Sequence, residues 1–257
     1  MSEPLVLLQG LLLMFVLGLR HGFDPDHIAM VDSMAYGRAG QRQPGWSTGA
    51  MFAAGHGVSV TLVAIAMQLL RRELSLTPAW TLLLDWLPVV LLAIAGTVNL
   101  RALLRPVARR PGSALMRHLR GHPLAAFGVG ILFALVFDTA AHISAWNGAG
   151  TLHGPAAALL AGLAFTAGMV VVDGLDGIMM RRLLAAPGQQ ARYRRAVGWV
   201  TVVFAYAVAG YGAASLLWPG LDLDEGTLTL VGAAMVGAFV VLALWARRGG
   251  TAADAPV

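Results

Sequence analysis

The segment RHGFDPDH, residues 20–27, places two histidines, two aspartates and a proline inside a long apolar stretch. This stretch runs from about residue 5 to about residue 34, so the segment lies near the middle of a predicted transmembrane helix. A charged side chain at that depth costs about 3 kcal/mol. Imidazole and carboxylate groups together are the ligands of a borderline divalent metal ion. The segment therefore predicts a metal site inside a membrane protein.

Pro25 is expected to interrupt this helix. Proline has no N–H, so the carbonyl of His21 loses its helical partner and the helix should kink or open. In a straight helix His21 and Asp24 would be neighbours, but His27 would be rotated by roughly 120° from His21. An opened helix can instead turn His21, Asp26 and His27 toward one point, which is tolerated where the backbone lines a cavity. The alternative is a plain kink whose histidines bond to neighbouring helices, and the two aspartates argue against it.

The composition is that of an all-α integral membrane protein. Of the 257 residues, 58% are hydrophobic and 12% are charged, against about 25% charged in soluble domains. The chain contains no cysteine, which excludes thiolate ligands. Apolar stretches separated by turn-forming residues predict one transmembrane domain over residues 1–257 with seven spans. The spans are predicted at about 5–34, 46–70, 80–100, 123–146, 156–180, 197–218 and 228–246.

All 18 basic residues are arginines, and their distribution predicts the orientation. The connections after spans one, three and five and the C-terminal tail hold 2, 6, 5 and 2 of them. The opposite side holds Arg71 and Arg72, and its last loop is acidic. The positive-inside rule therefore predicts the N-terminus outside and the C-terminus in the cytoplasm. The arginines are interpreted as topology signals that contact the lipid bilayer, and no nucleic-acid partner is expected.

Short sequence matches predict an internal repeat. GAMFAAGH (residues 49–56) resembles GLAFTAGM (residues 162–169) at an offset of 113 residues. Phe23-Asp24 matches Phe137-Asp138, and AIAG ending at Gly96 matches AVAG ending at Gly210, both at 114. Three spans per unit require the second unit to be inverted, with a site near the midplane. This predicts repeats at about 5–100 and 123–218 and an extra helix at 228–246; the alternative is chance similarity of helices rich in glycine and alanine.

Further polar residues lie inside the predicted spans. Span two contains His56, span four contains Asp138 and His142 one turn apart, and span five contains Asp173 and Asp176 on one face. The alternative reading is a structural hydrogen-bond network. Five unpaired aspartates would cost on the order of 15 kcal/mol, and protons or a divalent cation must compensate them, since only Arg20 lies within a span. Asp32 is expected near the cytoplasmic exit. The predicted metal residues are His21, Asp24, Asp26, His27, His56, Asp138, His142, Asp173 and Asp176.

The first motif resembles the His-x4-Asp-His signature of the nickel/cobalt transporter family. FAAGHGVSV, FDTAAH and GMVVVDGLDG are similar to the other three motifs of that family. The resemblance implies import of Ni²⁺ or Co²⁺ across the bacterial cytoplasmic membrane. It also implies that the residues His21, Asp24, Asp26 and His27 recognise the metal, and it points to His56, Asp138, Asp173 and Asp176.

The chain departs from the family pattern in three places. The family usually has an additional N-terminal helix and both termini in the cytoplasm. Its third motif usually ends in glutamate where this chain has His142, and its fourth has threonine where this chain has Gly174. Replacing an oxygen ligand by nitrogen at His142 bears on metal preference and on the direction of transport.

Secondary uptake of nickel or cobalt is therefore the predicted function, with efflux by a related carrier as the first alternative. Exporters often carry histidine-rich cytoplasmic loops, of which His118 and His122 are a poor version. The second alternative, an intramembrane metalloenzyme, is disfavoured because neither His-Glu-x-x-His nor Gly-x-Ser-x-Gly occurs. No Walker motif is present and no ATPase subunit is implied. The metal ion is expected as the substrate, with no prosthetic group.

Overall fold

A computed structural model describes residues 3–37, 46–70, 78–104, 123–137, 155–185, 191–218, 220–221 and 223–250. These residues form eight α-helices and no strand, which confirms the all-α prediction for this part of the chain. The helices are α1 Glu3–His21, α2 Pro25–Gly37, α3 Trp46–Leu70, α4 Pro78–Leu104, α5 Pro123–Phe137, α6 Pro155–Ala185, α7 Ala191–Leu217 and α8 Glu225–Gly250.

Four helices are long and apolar enough to cross a membrane: Trp46–Ile65, Asp85–Leu104, Ala156–Leu184 and Arg195–Leu217. The α1–α2 pair, bent by 62° at a short break, is long and apolar enough to count as a fifth if the two helices form one broken span. Two shorter apolar helices, Leu124–Ala134 and Gly226–Leu242, lie where the sequence predicts spans four and seven. The described part is thus a multi-pass helical membrane protein, and the count of seven spans stays a prediction.

Proline and aspartate define several helix starts. Four helices begin at a proline (Pro25, Pro78, Pro123 and Pro155), where the missing N–H has no intrahelical role. The last helix, α8, is capped by Asp224, whose carboxylate accepts hydrogen bonds from the hydroxyl and the backbone N–H of Thr227. These bonds hold the pKa of Asp224 below its usual range.

Helix packing places α2 in the interior. Helix α3 packs against α5 and α6, α1 packs against α6, and α4 packs against α7. The short helix α2 lies among α4, α6, α7 and α8, and its residues Ile28, Ala29, Met30 and Val31 are all buried. These four consecutive residues point to all sides of the helix, so at this level α2 is enclosed by protein all round. By contrast α1 exposes leucines such as Leu8 and Leu12, as expected for a surface that faces lipid.

Candidate metal centre

The site is built around the break between α1 and α2. Helix α1 ends at His21 and α2 begins at Pro25, which confirms the prediction that the helix opens here. The backbone N–H groups of Phe23 and Asp24 donate to the carbonyls of Arg20 and His21, at 2.9 and 3.0 Å. The carbonyl of His21, predicted to lose its helical partner, is therefore satisfied by a tighter turn. The imidazoles of His21 and His27 are brought to either side of that turn.

Three imidazoles from three helices meet at the break. His21, His27 and His56 each offer a ring nitrogen, and these atoms lie within 4.8 Å of one another. The ring centroids are separated by 4.4, 5.2 and 4.8 Å, and His27 and His56 are fully buried. An ion held about 2.1 Å from each nitrogen would require nitrogen separations of roughly 3 to 3.5 Å. Small side-chain rotations would close this triad around a single ion.

Carboxylates hold two of the three rings. Nδ1 of His21 lies 2.6 Å from Oδ2 of Asp24, and Nδ1 of His27 lies 3.2 Å from Oδ2 of Asp173. When these carboxylates are ionised they only accept, so each Nδ1 then carries the proton and Nε2 keeps its lone pair. This is the arrangement in which carboxylates fix the tautomer and orientation of metal-binding histidines. The triad is thus prepared to present Nε2 of His21 and His27.

Other predicted metal residues lie apart from the triad. The carboxylate of Asp26 accepts a hydrogen bond from the backbone N–H of His27 at 2.9 Å, in the first turn of α2. A negative charge there is favoured by the helix dipole. Asp176 is buried on α6, one turn beyond Asp173. Asp138 and His142 lie outside the described residues.

Phenylalanines enclose the imidazoles. The ring of Phe165 stacks on His21 at 5.6 Å, and Phe52 and Phe133 meet His27 edge to face at 5.1 and 5.9 Å. All three phenylalanines are almost completely buried. Sequence reasoning missed them because phenylalanine in an apolar helix looks like ordinary packing. The repeat match did pair Phe52 with Phe165, each four residues before His56 or Met169.

Asp32 was also missed as a site residue. The sequence predicts it near the cytoplasmic exit, and in the structure its side chain is fully buried, with no hydrogen-bond partner for either oxygen among the described residues. Its position inside a predicted span, five residues after His27, was the signal that could have marked it.

The chain is similar to known proteins that transport nickel or cobalt. The family model for the high-affinity nickel-transport protein matches residues 8–81. The cobalt transport protein NhlF of Rhodococcus rhodochrous is 30% identical, over 80% of this chain and 70% of the relative. The hydrogenase nickel incorporation protein HupN of Bradyrhizobium diazoefficiens is 29% identical, over 90% and 70%. A high-affinity nickel transport protein of Cupriavidus necator is 27% identical, over 92% and 81%.

No solved structure matches the chain. The similarity to NhlF extends over most of both proteins, and the matched region of the family model contains the broken helix and all three histidines. A transporter of these metals needs no catalytic group, which agrees with the expectation that the chain is not an enzyme. On this evidence the chain belongs to the nickel/cobalt transporter family.

Proposed function

We propose that this protein is a secondary transporter that imports Ni²⁺ or Co²⁺ across the bacterial cytoplasmic membrane through the histidine triad. The observation that carries the proposal is the meeting of His21, His27 and His56 in a buried, aromatic-lined space, with carboxylates on two of the rings. Imidazole nitrogen suits Ni²⁺ and Co²⁺, whereas Mg²⁺ and Ca²⁺ require oxygen ligands. Asp26, Asp138, His142 and Asp176 stay predicted members of the pathway.

Import is favoured over export by the kind of site and by the relatives. Three ring nitrogens in contact with buried phenylalanines suit the capture of a scarce ion, because nitrogen ligands bind Ni²⁺ and Co²⁺ tightly. Two of the relatives carry names that refer to nickel incorporation and to high-affinity nickel transport. The arginine distribution supports an N-terminus outside and a C-terminus in the cytoplasm, so that α2 leads from the triad toward the cytoplasm.

Reciprocal helix contacts support the inverted repeat. A Cβ atom added at Gly18 on α1 would clash with the carbonyl of Phe165 on α6, and one at Gly130 on α5 would clash with the carbonyl of Phe52 on α3. Gly18 and Gly130 are 112 residues apart, and Phe52 and Phe165 are 113 apart. The α1–α6 crossing and the α5–α3 crossing therefore each bring a glycine against a phenylalanine carbonyl, at positions that are equivalent under the predicted repeat.

A second pair of contacts repeats this relationship. A Cβ atom at Gly168 would meet the carbonyl of Phe15, and one at Gly55 would meet the carbonyl of Phe127. These pairs again match at offsets of 113 and 112 residues. The alternative is chance similarity of helices rich in glycine and alanine. Chance similarity gives no reason for equivalent residues to make equivalent contacts in both crossings.

The direction of equivalent helices supports inversion. On α3, Gly49 and Gly57 lie against Asp173 and Thr166 on α6, so these two helices run antiparallel. Helices α4 and α7 are also antiparallel, since Gly96 contacts Ala205 whereas Gly212 contacts Val89. A two-fold axis that exchanges antiparallel helices lies perpendicular to them, which in a membrane means in its plane.

The same contacts bring the triad to this axis. Two helices that are exchanged by a two-fold axis can cross on that axis only at the level where a residue of one helix faces the equivalent residue of the other. For α3 and α6 the observed contacts set this level near Gly55 and Gly168, which are 113 residues apart. His56 follows Gly55 directly, which supports a position of the triad midway between the two predicted repeats. Alternating access would then separate α3 from α6 on one side of the triad at a time.

Transport assays test the proposal. Proteoliposomes that contain the full-length protein should accumulate ⁶³Ni²⁺, and His56→Ala should abolish accumulation while the folded protein is still recovered. His118→Ala, in the predicted arginine-rich connection, is the matched control and should transport normally. Expression in bacteria without their own nickel importer should raise cellular nickel. A fall in cellular nickel would identify an exporter, and normal transport by His56→Ala would refute the site.

A further inference from the structure

A row of buried carboxylates continues from the triad along the α2–α6 interface. Asp173, Asp176 and Asp32 are 0, 5 and 0% exposed. Asp173 contacts His27 through Oδ2, and Asp176 lies within electrostatic range of both Asp173 and Asp32. The row therefore runs from an imidazole of the triad to an acid on the far part of α2.

The two acids at the end of this row have unused oxygens. Neither oxygen of Asp32 and neither oxygen of Asp176 accepts a hydrogen bond within the described part of the chain. The same is true of Oδ1 of Asp173. Buried carboxylates are normally paired, hydrogen-bonded, bound to a cation or neutralised by a proton, which a metal ion can displace. The chain contains no lysine that could pair with them.

Their position separates these acids from the triad. Asp32 follows His27 by five residues, which corresponds to about 7.5 Å along a helix. Helix α2 leads away from the triad in this direction, toward the predicted cytoplasmic side. The oxygens thus lie next to the triad on the route that an imported ion would take.

We propose that Asp32 and Asp176 form a second, all-oxygen cation site, which the transported ion occupies after it leaves the histidine triad. This inference rests on the proposed function for the order of the two sites. Carboxylate oxygens favour Mn²⁺ and similar hard ions, and they hold Ni²⁺ and Co²⁺ less selectively than imidazoles do.

A weaker second site would speed the release of the ion from the histidine triad. An ion bound by three nitrogens leaves slowly unless another favourable position lies within reach. Conduction past a tight site requires neighbouring sites that are favourable enough to occupy and weak enough to leave. Asp173 would link the two sites, since one of its oxygens holds His27 and the other faces no donor among the described residues.

Manganese alone can be used as the probe for this site. Binding of Mn²⁺ to the purified full-length protein in detergent is followed by the loss of the free-ion EPR signal. Wild-type protein and His56→Ala should each bind one Mn²⁺ with similar affinity, whereas Asp32→Asn and Asp176→Asn should each lose that binding. Asp85→Asn is the matched control, because this aspartate lies on α4 outside the row, and it should bind Mn²⁺ as the wild type does.

Nickel binding separates the two sites. Asp32→Asn should keep Ni²⁺ binding at the triad, which also shows that the variant is folded, while Ni²⁺ uptake in proteoliposomes is lost. Absence of Mn²⁺ binding in the wild type, or Mn²⁺ binding by both aspartate variants equal to that of Asp85→Asn, would overturn the second site. Unchanged Ni²⁺ binding by His56→Ala would instead contradict the histidine triad, so the two proposals fail on different measurements.

Discussion

Removal of the negative charge behind His27 is expected to weaken metal binding without displacing the ligand. In Asp173→Asn the amide oxygen can still accept the hydrogen bond from Nδ1 of His27, which keeps Nε2 available. What is lost is the charge that makes the imidazole a stronger donor to the ion. Loss of such a partner typically lowers metal affinity by about 10- to 100-fold, which corresponds to roughly 1.4 to 2.8 kcal/mol.

The matching substitution of the carboxylate that contacts His21, Asp24→Asn, provides an internal comparison. Nδ1 of His21 is closer to its carboxylate, at 2.6 Å against 3.2 Å for His27. However, the side chain of Asp24 is 24% exposed, whereas that of Asp173 is fully buried. Charges that reach solvent are screened more strongly than buried charges. We therefore expect Asp24→Asn to lower the affinity for Ni²⁺ less than Asp173→Asn does.

Competition with a chromophoric chelator for Ni²⁺, in detergent at fixed pH and salt, measures both affinities. Asp85→Asn serves as the control for the loss of one carboxylate from a membrane helix and should bind as the wild type does. Equal affinities for Asp173→Asn and the wild type would refute the role given to this carboxylate. A larger loss for Asp24→Asn than for Asp173→Asn would refute the argument from solvent screening.

Three further outcomes are expected. Gly232→Ala on α8 should lower the thermal midpoint in detergent, because the added Cβ would press on the carbonyl of Phe23 at the helix break. Such overpacking costs about 1–3 kcal/mol. Gly237→Ala is the control, and it should leave the thermal midpoint unchanged because Gly237 has open space around it. Asp224→Ala should lower the thermal midpoint at pH 7 by removal of the α8 cap. Because the folded-state pKa of Asp224 is lowered, the difference between the variant and the wild type should shrink as pH falls below about 4 and through that lowered pKa. The affinity for Ni²⁺ should weaken as pH falls from about 7 to 5, since imidazoles must be neutral to bind a metal ion. For the same reason, Ni²⁺ binding should release protons and acidify a weakly buffered solution. An affinity that does not change over this pH range would mean that the histidines are not ligands.

The break and the participation of His56 could be predicted from the sequence because they follow from local chemistry. Proline lacks an N–H wherever it lies, so the opening beside His21 did not depend on the rest of the fold. His56 was singled out because a histidine deep in an apolar span needs a partner, and the neighbouring span had metal ligands. Both arguments use only the residue types of individual spans, and the structure has the break and brings His56 beside His21 and His27.

The roles of the aspartates could not be predicted in the same way. Asp26 and Asp173 looked equivalent as acids inside spans, yet one accepts a backbone hydrogen bond and the other holds an imidazole. Which of these occurs depends on how α6 crosses α2, a tertiary property. The burial of Asp32 could not be foreseen from residue counting, which gives only a position along a span, because α2 is bent by 62° from α1 and lies inside the protein.

That tilt connects the histidine triad to the carboxylate row. A straight first span would turn part of α2 toward lipid, where neither His27 nor Asp32 could be compensated. Bending at the break inserts α2 among other helices of the protein, so that each polar group on it must find a partner there or carry a proton or a cation. His27 contacts Asp173 and the other imidazoles, whereas within the described part of the chain Asp32 lies in electrostatic range of another acid, Asp176. The geometry that assembles the nitrogen site therefore leaves a demand for positive charge beside it, which a divalent ion in transit would supply.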